Sequence, residues 1–177
     1  MKSNFVLDLQ ELRRRAREHI DQGAVTPGYT GDRETVLKLL NEALATEIVC
    51  VLRYKRHYYM ATGPNSSGVK DEFAEHAAEE QQHADQIAER IRQLGGEPNF
   101  APDGLSGRSH SEYVEGKGLL DMIKEDLVAE RIAIDSYSAM IKYIGESDST
   151  TRRMLEEILA KEEEHADDLS DLLSQHG

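Results

Sequence analysis

The chain has 177 residues and a formal net charge of −13, from 34 acidic against 21 basic residues. That length suits one domain with a real core, no apolar run nears the roughly 20 residues of a membrane-spanning helix, and an acidic surface attracts cations rather than nucleic acid. A single cysteine, Cys50, excludes a disulfide framework and a cysteine metal cluster.

Met1 is followed by a mixed polar and apolar segment rather than a basic patch and an apolar core, so a secretory leader is not expected and a cytoplasmic location is. A short helix is predicted over about Phe5 to Gln22. It contains "RRRAR", Arg13 to Arg17, which reads as a solvated face; a DNA-binding arm is the alternative, and the overall acidity argues against it. "GAVTPGYTG" then separates this extension, residues 1–31, from a helical domain over 32–177.

Four long helices follow, and strand signals are absent. The first, about Asp32 to Ala61, carries Leu37, Leu40, Leu44, Val51, Tyr54 and Tyr58 on one stripe and ends before the turn "TGPNSSG". The second, about Val69 to Leu94, carries Phe73, Ala77, Ala84, Ile87 and Ile91 and stops at Gly95 and Gly96. The connection "GGEPNFAPDGLSGRSHSEYVEGKG" has no helical repeat and is long enough to run the length of a helix. The third helix, about Leu119 to Ile144, shows Leu120, Ile123, Leu127, Ile134, Tyr137 and Ile141, and Gly145 closes it. Asp148 or Ser149 can cap the fourth, which carries Leu155, Ile158, Leu169 and Leu172. Short turns make antiparallel neighbours and a long crossover lets the second and third helices run parallel, so two helical hairpins are expected.

Six polar residues interrupt the apolar stripes. Glu47 falls between Leu44 and Val51, Glu80 and His83 between Ala77 and Ala84, Glu130 between Leu127 and Ile134, and Glu162 and His165 between Ile158 and Leu169. Spacings of three and four keep them on the inward faces. Four buried carboxylates without a partner would each cost several kcal/mol and repel one another. Two divalent cations balance four carboxylates and leave both imidazoles neutral as nitrogen ligands. The halves of the chain also repeat the pattern: Glu47 precedes Glu80-x-x-His83 by 33 residues, and Glu130 precedes Glu162-x-x-His165 by 32.

This constellation resembles the ferritin-like di-iron carboxylate bundle, and within it the bacterioferritins, over all four long helices. Tyr54 and His57 look like the tyrosine and histidine that bacterioferritins carry beside their ferroxidase centre, and "ILAKEEEHADDL" is similar to the family's last metal-binding helix. The resemblance implies an all-α four-helix bundle preceded by a short N-terminal helix. It implies two iron ions per subunit, with manganese as the alternative. His83 and His165 would be terminal nitrogen ligands, Glu80 and Glu162 bridging carboxylates, Glu47 and Glu130 terminal carboxylates, and Tyr54 a hydrogen-bond partner or one-electron donor at the catalytic centre.

Three departures qualify the likeness. Bacterioferritins bind haem through a Met immediately after the first Glu of the second-helix motif; here Gln81 stands there, so haem is not expected. Only 12 residues follow His165, too few for the extra C-terminal helix of 24-subunit shells. The N-terminal segment is longer than a bacterioferritin's and resembles that of Dps miniferritins, which assemble as twelve subunits but bind iron between them. The implied activity is ferroxidase and iron storage, acting on Fe(II) with O2 or H2O2 in a self-associated hollow shell, with twelve subunits expected and twenty-four the alternative. A soluble di-iron or di-manganese peroxidase or catalase, or a Dps-like DNA protector, are the rival readings. His57 is a candidate for metal transit, His76 and Glu79 for groups supporting the ligands or admitting metal, and Cys50 reads as packing.

Overall fold

The computed structural model describes residues 6–63 and 66–176. Its helices are α1 (Leu9–Arg15), α2 (Arg33–Met60), α3 (Ser66–Gln93), α4 (Leu105–Arg108), α5 (Leu119–Ile144) and α6 (Ser149–His176), and the described residues contain no strand. No helix among them is long and apolar enough to cross a membrane.

α2 begins where Asp32 accepts a hydrogen bond from the Thr35 N–H at 3.2 Å, satisfying one of the free donors of the first turn. Asp148 does the same for α6 through the Thr151 N–H at 2.9 Å, and also accepts from Arg90 of α3 at 2.9 Å. That cap therefore ties α6 to α3. α2 packs against α3 and α5 against α6 as two hairpins, which meet through α2 with α5 and α3 with α6.

The crossover climbs the outside of α2 from its start to its end. Asn41 accepts from the Asn99 N–H at 2.8 Å, Thr46 from the His110 N–H at 2.9 Å, and Arg56 donates to the Glu115 carbonyl at 2.7 Å. Its single helical turn, α4, is the only regular structure in it. Arriving at the far end of α2, the chain enters α5 antiparallel to α2 and parallel to α3.

A network that the sequence pattern does not single out locks this crossing. Arg53 donates to Asp126 Oδ1 at 2.8 Å and to the Glu112 carbonyl at 3.1 Å, while His57 Nδ1 lies 2.7 Å from Asp126 Oδ2 and His57 Nε2 lies 3.1 Å from the Val114 carbonyl. All three side chains are fully buried. His57 has both ring nitrogens engaged and no face toward solvent, so it holds the crossover and α5 against α2 rather than passing metal.

Two further expectations change. The helix predicted over Phe5 to Gln22 is one short helix, Leu9–Arg15, and a separate 3-10 turn at Ile20–Gln22, divided by His19 at φ +50°; Phe5 lies outside the described residues. α1 buries no side chain, so among the described residues it has no packing that supports a longer helix. On α5, the inward line is Met122, Ile123, Asp126, Glu130, Ala133, Tyr137 and Met140. Of the predicted stripe, Leu127, Ile134 and Ile141 sit on its shoulder and Leu120 is exposed.

The apolar core is in two parts. One gathers Leu40, Leu44, Ile87, Ile91, Leu155 and Ile158, and the other Val69, Phe73, Met122, Ile123 and Leu169. Each long helix passes from one to the other, and the six polar residues lie at the passage.

Candidate metal centre

All six sequence-predicted residues converge at the middle of the bundle, each at least 94% buried. α2 contributes Glu47, α3 Glu80 and His83, α5 Glu130, and α6 Glu162 and His165. They form two groups that could each hold a metal ion, Glu47–Glu80–His83–Glu162 and Glu80–Glu130–Glu162–His165. His83 Nδ1 lies 2.9 Å from Glu162 Oε1, 3.4 Å from Glu47 Oε2 and 3.6 Å from Glu80 Oε2. His165 Nδ1 lies 3.4 Å from Glu80 Oε1, 3.8 Å from Glu162 Oε2 and 4.0 Å from Glu130 Oε2. Glu80 and Glu162 thus turn one oxygen to each set.

Eight side-chain atoms of these residues are buried without a hydrogen-bond partner: Glu47 Oε2, both oxygens of Glu80 and of Glu162, Glu130 Oε2, and Nδ1 of His83 and His165. Buried polar atoms are normally paired, because each unpaired one costs about 1–3 kcal/mol and more if charged. Unpaired atoms all facing one another are what a pair of cations requires, and carboxylates with two imidazoles suit iron or manganese. The donor set fits two such ions.

The electrostatics without metal show the same strain. Burial, then the charge of Glu80, push Glu47 and Glu162 well above the usual carboxylate range and Glu130 up to about 7. Burial also opposes ionisation of Glu80, but the nearby polar groups of Glu47, His165 and His83 pull it below its ordinary value. His83 is desolvated too, yet Glu47 and Glu80 hold it up to about 10; His165 is held up to about 9 against its own burial, by Glu80 and Glu130.

Around these six residues stands a ring of hydrogen bonds. The Tyr54 hydroxyl donates to Glu130 Oε1 and the Tyr137 hydroxyl to Glu47 Oε1, so Glu130 and Glu47 each have a tyrosine from the opposite helix. Tyr54 follows Glu47 by seven residues and Tyr137 follows Glu130 by seven. That shared interval was the available signal for Tyr137, which reads from its stripe as core packing alone. Glu79 Oε2 lies 2.7 Å from His165 Nε2, and Lys161 Nζ is 3.3 Å from Glu79 Oε1. His76, also nearly fully buried, places Nδ1 3.2 Å from the Tyr54 hydroxyl and stacks on His165 with ring centroids 4.0 Å apart. Cys50 lies behind the centre beside Ser111 and Arg53, and burial pushes its thiol well above its usual value, as for an inert packing group.

A cleft of about 200 Å3 between α3 and α6 reaches His83 from outside, bordered by Glu79, Gln82, Gln86, Glu157 and Lys161. In the N-terminal extension, Arg14 pairs with Glu11 at 2.7 Å and with Glu18, and Arg15 lies 3.4 Å from Glu11. The basic run is therefore partly neutralised by acidic neighbours in its own segment.

The family model of the ferritin-like domain matches residues 37–176. A bacterioferritin of Mycobacterium avium is 33% identical over 138 residues, 77% of this chain and 82% of that protein. One from Desulfovibrio desulfuricans is 29% identical over 140 residues, 78% of this chain and 74% of its own. Among solved structures, a dodecameric thioferritin, the bacterioferritin-related protein of Bacteroides fragilis, superposes with a TM-score of 0.79 at 32% identity, covering 81% of this chain and 87% of that one. Dps from Thermosynechococcus elongatus shares the fold with a TM-score of 0.76 at 23% identity, over 79% of this chain and 90% of that one.

Proposed function

Because the chain belongs to the ferritin-like family, we propose that it is a ferroxidase that oxidises Fe(II) with O2 or H2O2 and keeps the ferric product as mineral inside a hollow shell of its own subunits. The observation that carries the reading is the set of eight buried, unpartnered atoms on six residues, divided into two sets that share Glu80 and Glu162. A bound iron pair would supply two electrons together, taking O2 with two protons to H2O2, or H2O2 with two protons to two waters.

The chain's own residues prepare that chemistry. Glu47 and His83 would hold one ion and Glu130 and His165 the other, and Glu80 and Glu162 offer one oxygen to each group. The Nε2–H of His165 donates to Glu79, which directs the Nδ1 lone pair inward and makes the imidazole a stronger ligand. Tyr54 and Tyr137 orient the two terminal carboxylates through their hydroxyl protons. The cleft at His83, with Glu79 and Glu157 on its border, is the route by which Fe(II) is drawn from outside, helped by the net charge of −13.

The shell is the family's usual way of containing mineral. Leu52, Tyr59 and Val128 are exposed by 48%, 76% and 51%, which supplies apolar area for subunit contacts. Twelve subunits is the state named for the Bacteroides fragilis relative and the one proposed here.

Aerobic Fe(II) loading of metal-free protein, followed by size-exclusion chromatography with iron and protein measured in the same fractions, tests the proposal. A large assembly eluting with tens of iron atoms per chain is expected. Iron stopping at about two per chain on a small oligomer, the capacity of the bundle site alone, would leave a di-metal redox enzyme without storage.

A further inference from the structure

Outside the six central residues, Glu72, His76 and Asp168 form another group whose ligand atoms come together, all within 4.8 Å of one another. Glu72 and His76 are one turn apart on α3, and Asp168 follows His165 by three residues on α6, so the facing surfaces of the two helices place them in one column. His76 Nε2 is 3.6 Å from Glu72 Oε2 and 3.7 Å from Asp168 Oδ2. Ligands about 2.1 Å from a divalent ion stand about 3 to 3.4 Å from each other. Small rotations of the two part-exposed carboxylates close that difference.

Hydrogen bonding gives an independent reason to place a cation there. Tyr54 has one hydroxyl proton, and it goes to Glu130. His76 Nδ1, 3.2 Å from the same hydroxyl oxygen, must then be the donor in that contact. A neutral imidazole protonated on Nδ1 presents a bare lone pair at Nε2, and this side chain is only 2% exposed. The lone pair faces two carboxylates. Three acceptors meet with no donor among them, while Glu75, Glu164 and Asp171 add negative charge around the group.

We propose that Glu72, His76 and Asp168 bind a third divalent cation, separate from the central pair, through His76 Nε2 and one oxygen of each carboxylate, with water completing its shell. One imidazole and two carboxylates suit Fe(II) and similar borderline ions. The carboxylate side, 37% exposed at Glu72 and 46% at Asp168, opens to solvent, and the imidazole side abuts His165. An ion held there exchanges with solvent more readily than one at the enclosed centre. The inference rests on the di-metal reading in one respect: Glu130, as a metal-holding carboxylate, is the acceptor of the Tyr54 proton.

The test is to equilibrate metal-free, assembled protein with Co(II), crystallise it, and map the cobalt by anomalous scattering while counting bound Co(II) by dialysis. Three peaks per chain are expected, the third against His76 Nε2. The double variant Glu72→Gln/Asp168→Asn, altered only at part-exposed positions, should lose that peak and one Co(II) per chain and retain the central two. A filled centre with no density at His76 would overturn the proposal, as would a third peak that persists in the double variant. A third peak with an empty centre would support this site and refute the di-metal reading instead.

Discussion

Replacing Glu130 by glutamine should stabilise the metal-free protein at neutral pH while destroying half of the metal pair. Glu130 is fully buried, and burial with the charge of Glu80 raises it to about 7, although Glu162, His165 and Tyr54 each pull it part of the way down. In the unfolded chain the same carboxyl titrates near 4.5. A folded value above the unfolded one means that its contribution to stability is complete below 4.5 and is lost as pH rises through about 7. At 1.36 kcal/mol per pH unit, that loss reaches about 3 kcal/mol. Glutamine has no proton to lose, and its amide oxygen can still accept from Tyr54. Urea-unfolding midpoints of metal-free parent and Glu130→Gln should therefore diverge by about 2 kcal/mol between pH 5 and pH 7.5, in favour of the variant. Metal titration of the same samples should show the Glu130–His165 ion lost. An equal difference at both pH values, or a variant that keeps both ions, would refute the assignment of Glu130 as a buried carboxylate held ready for metal.

Other substitutions separate the ring around the centre from the centre itself. Asp126→Asn leaves the buried Arg53 without its countercharge and His57 without its carboxylate partner, and should cost about 3–5 kcal/mol in unfolding midpoint, with two-ion binding kept in the folded protein. Glu79→Gln removes the carboxylate on His165 Nε2 and should weaken metal at that position about 10- to 100-fold by calorimetry, leaving the His83 ion nearly unchanged. Tyr54→Phe and Tyr137→Phe should each weaken one ion by a comparable factor, about 10-fold or more, and opposite ones: Tyr54 the ion at Glu130, Tyr137 the ion at Glu47. If both tyrosine variants weaken the same ion, the crossed pairing is wrong.

What a single helix does with its own residues was readable from the chain. The periodic apolar stripes and their Gly, Asp and Ser boundaries predict four long helices close to those observed. Glu47, Glu80, His83, Glu130, Glu162 and His165 were visible because a carboxylate on an apolar stripe demands compensation, and because the two halves repeat the demand at nearly equal spacing. The N-terminal helix was overestimated for a related reason: a periodic pattern with nothing to pack against does not sustain a helix, and α1 buries nothing.

What passes between helices was decided only by the tertiary structure. Tyr137 reaches Glu47, and Tyr54 reaches Glu130, because α5 runs antiparallel to α2 at one particular register, which no spacing within either helix states. Asp126 meets Arg53 and His57 for the same reason, and Glu72 and His76 meet Asp168 only because α3 and α6 face each other at that height. The rotation of α5 also turned Leu120 outward and drew Asp126 in. Position along one helix follows from a rise of about 1.5 Å and 3.6 residues per turn, so local chemistry is written in the order of residues. Rotation and register between helices follow from how all the side chains fit at once, and that is settled only when the bundle closes.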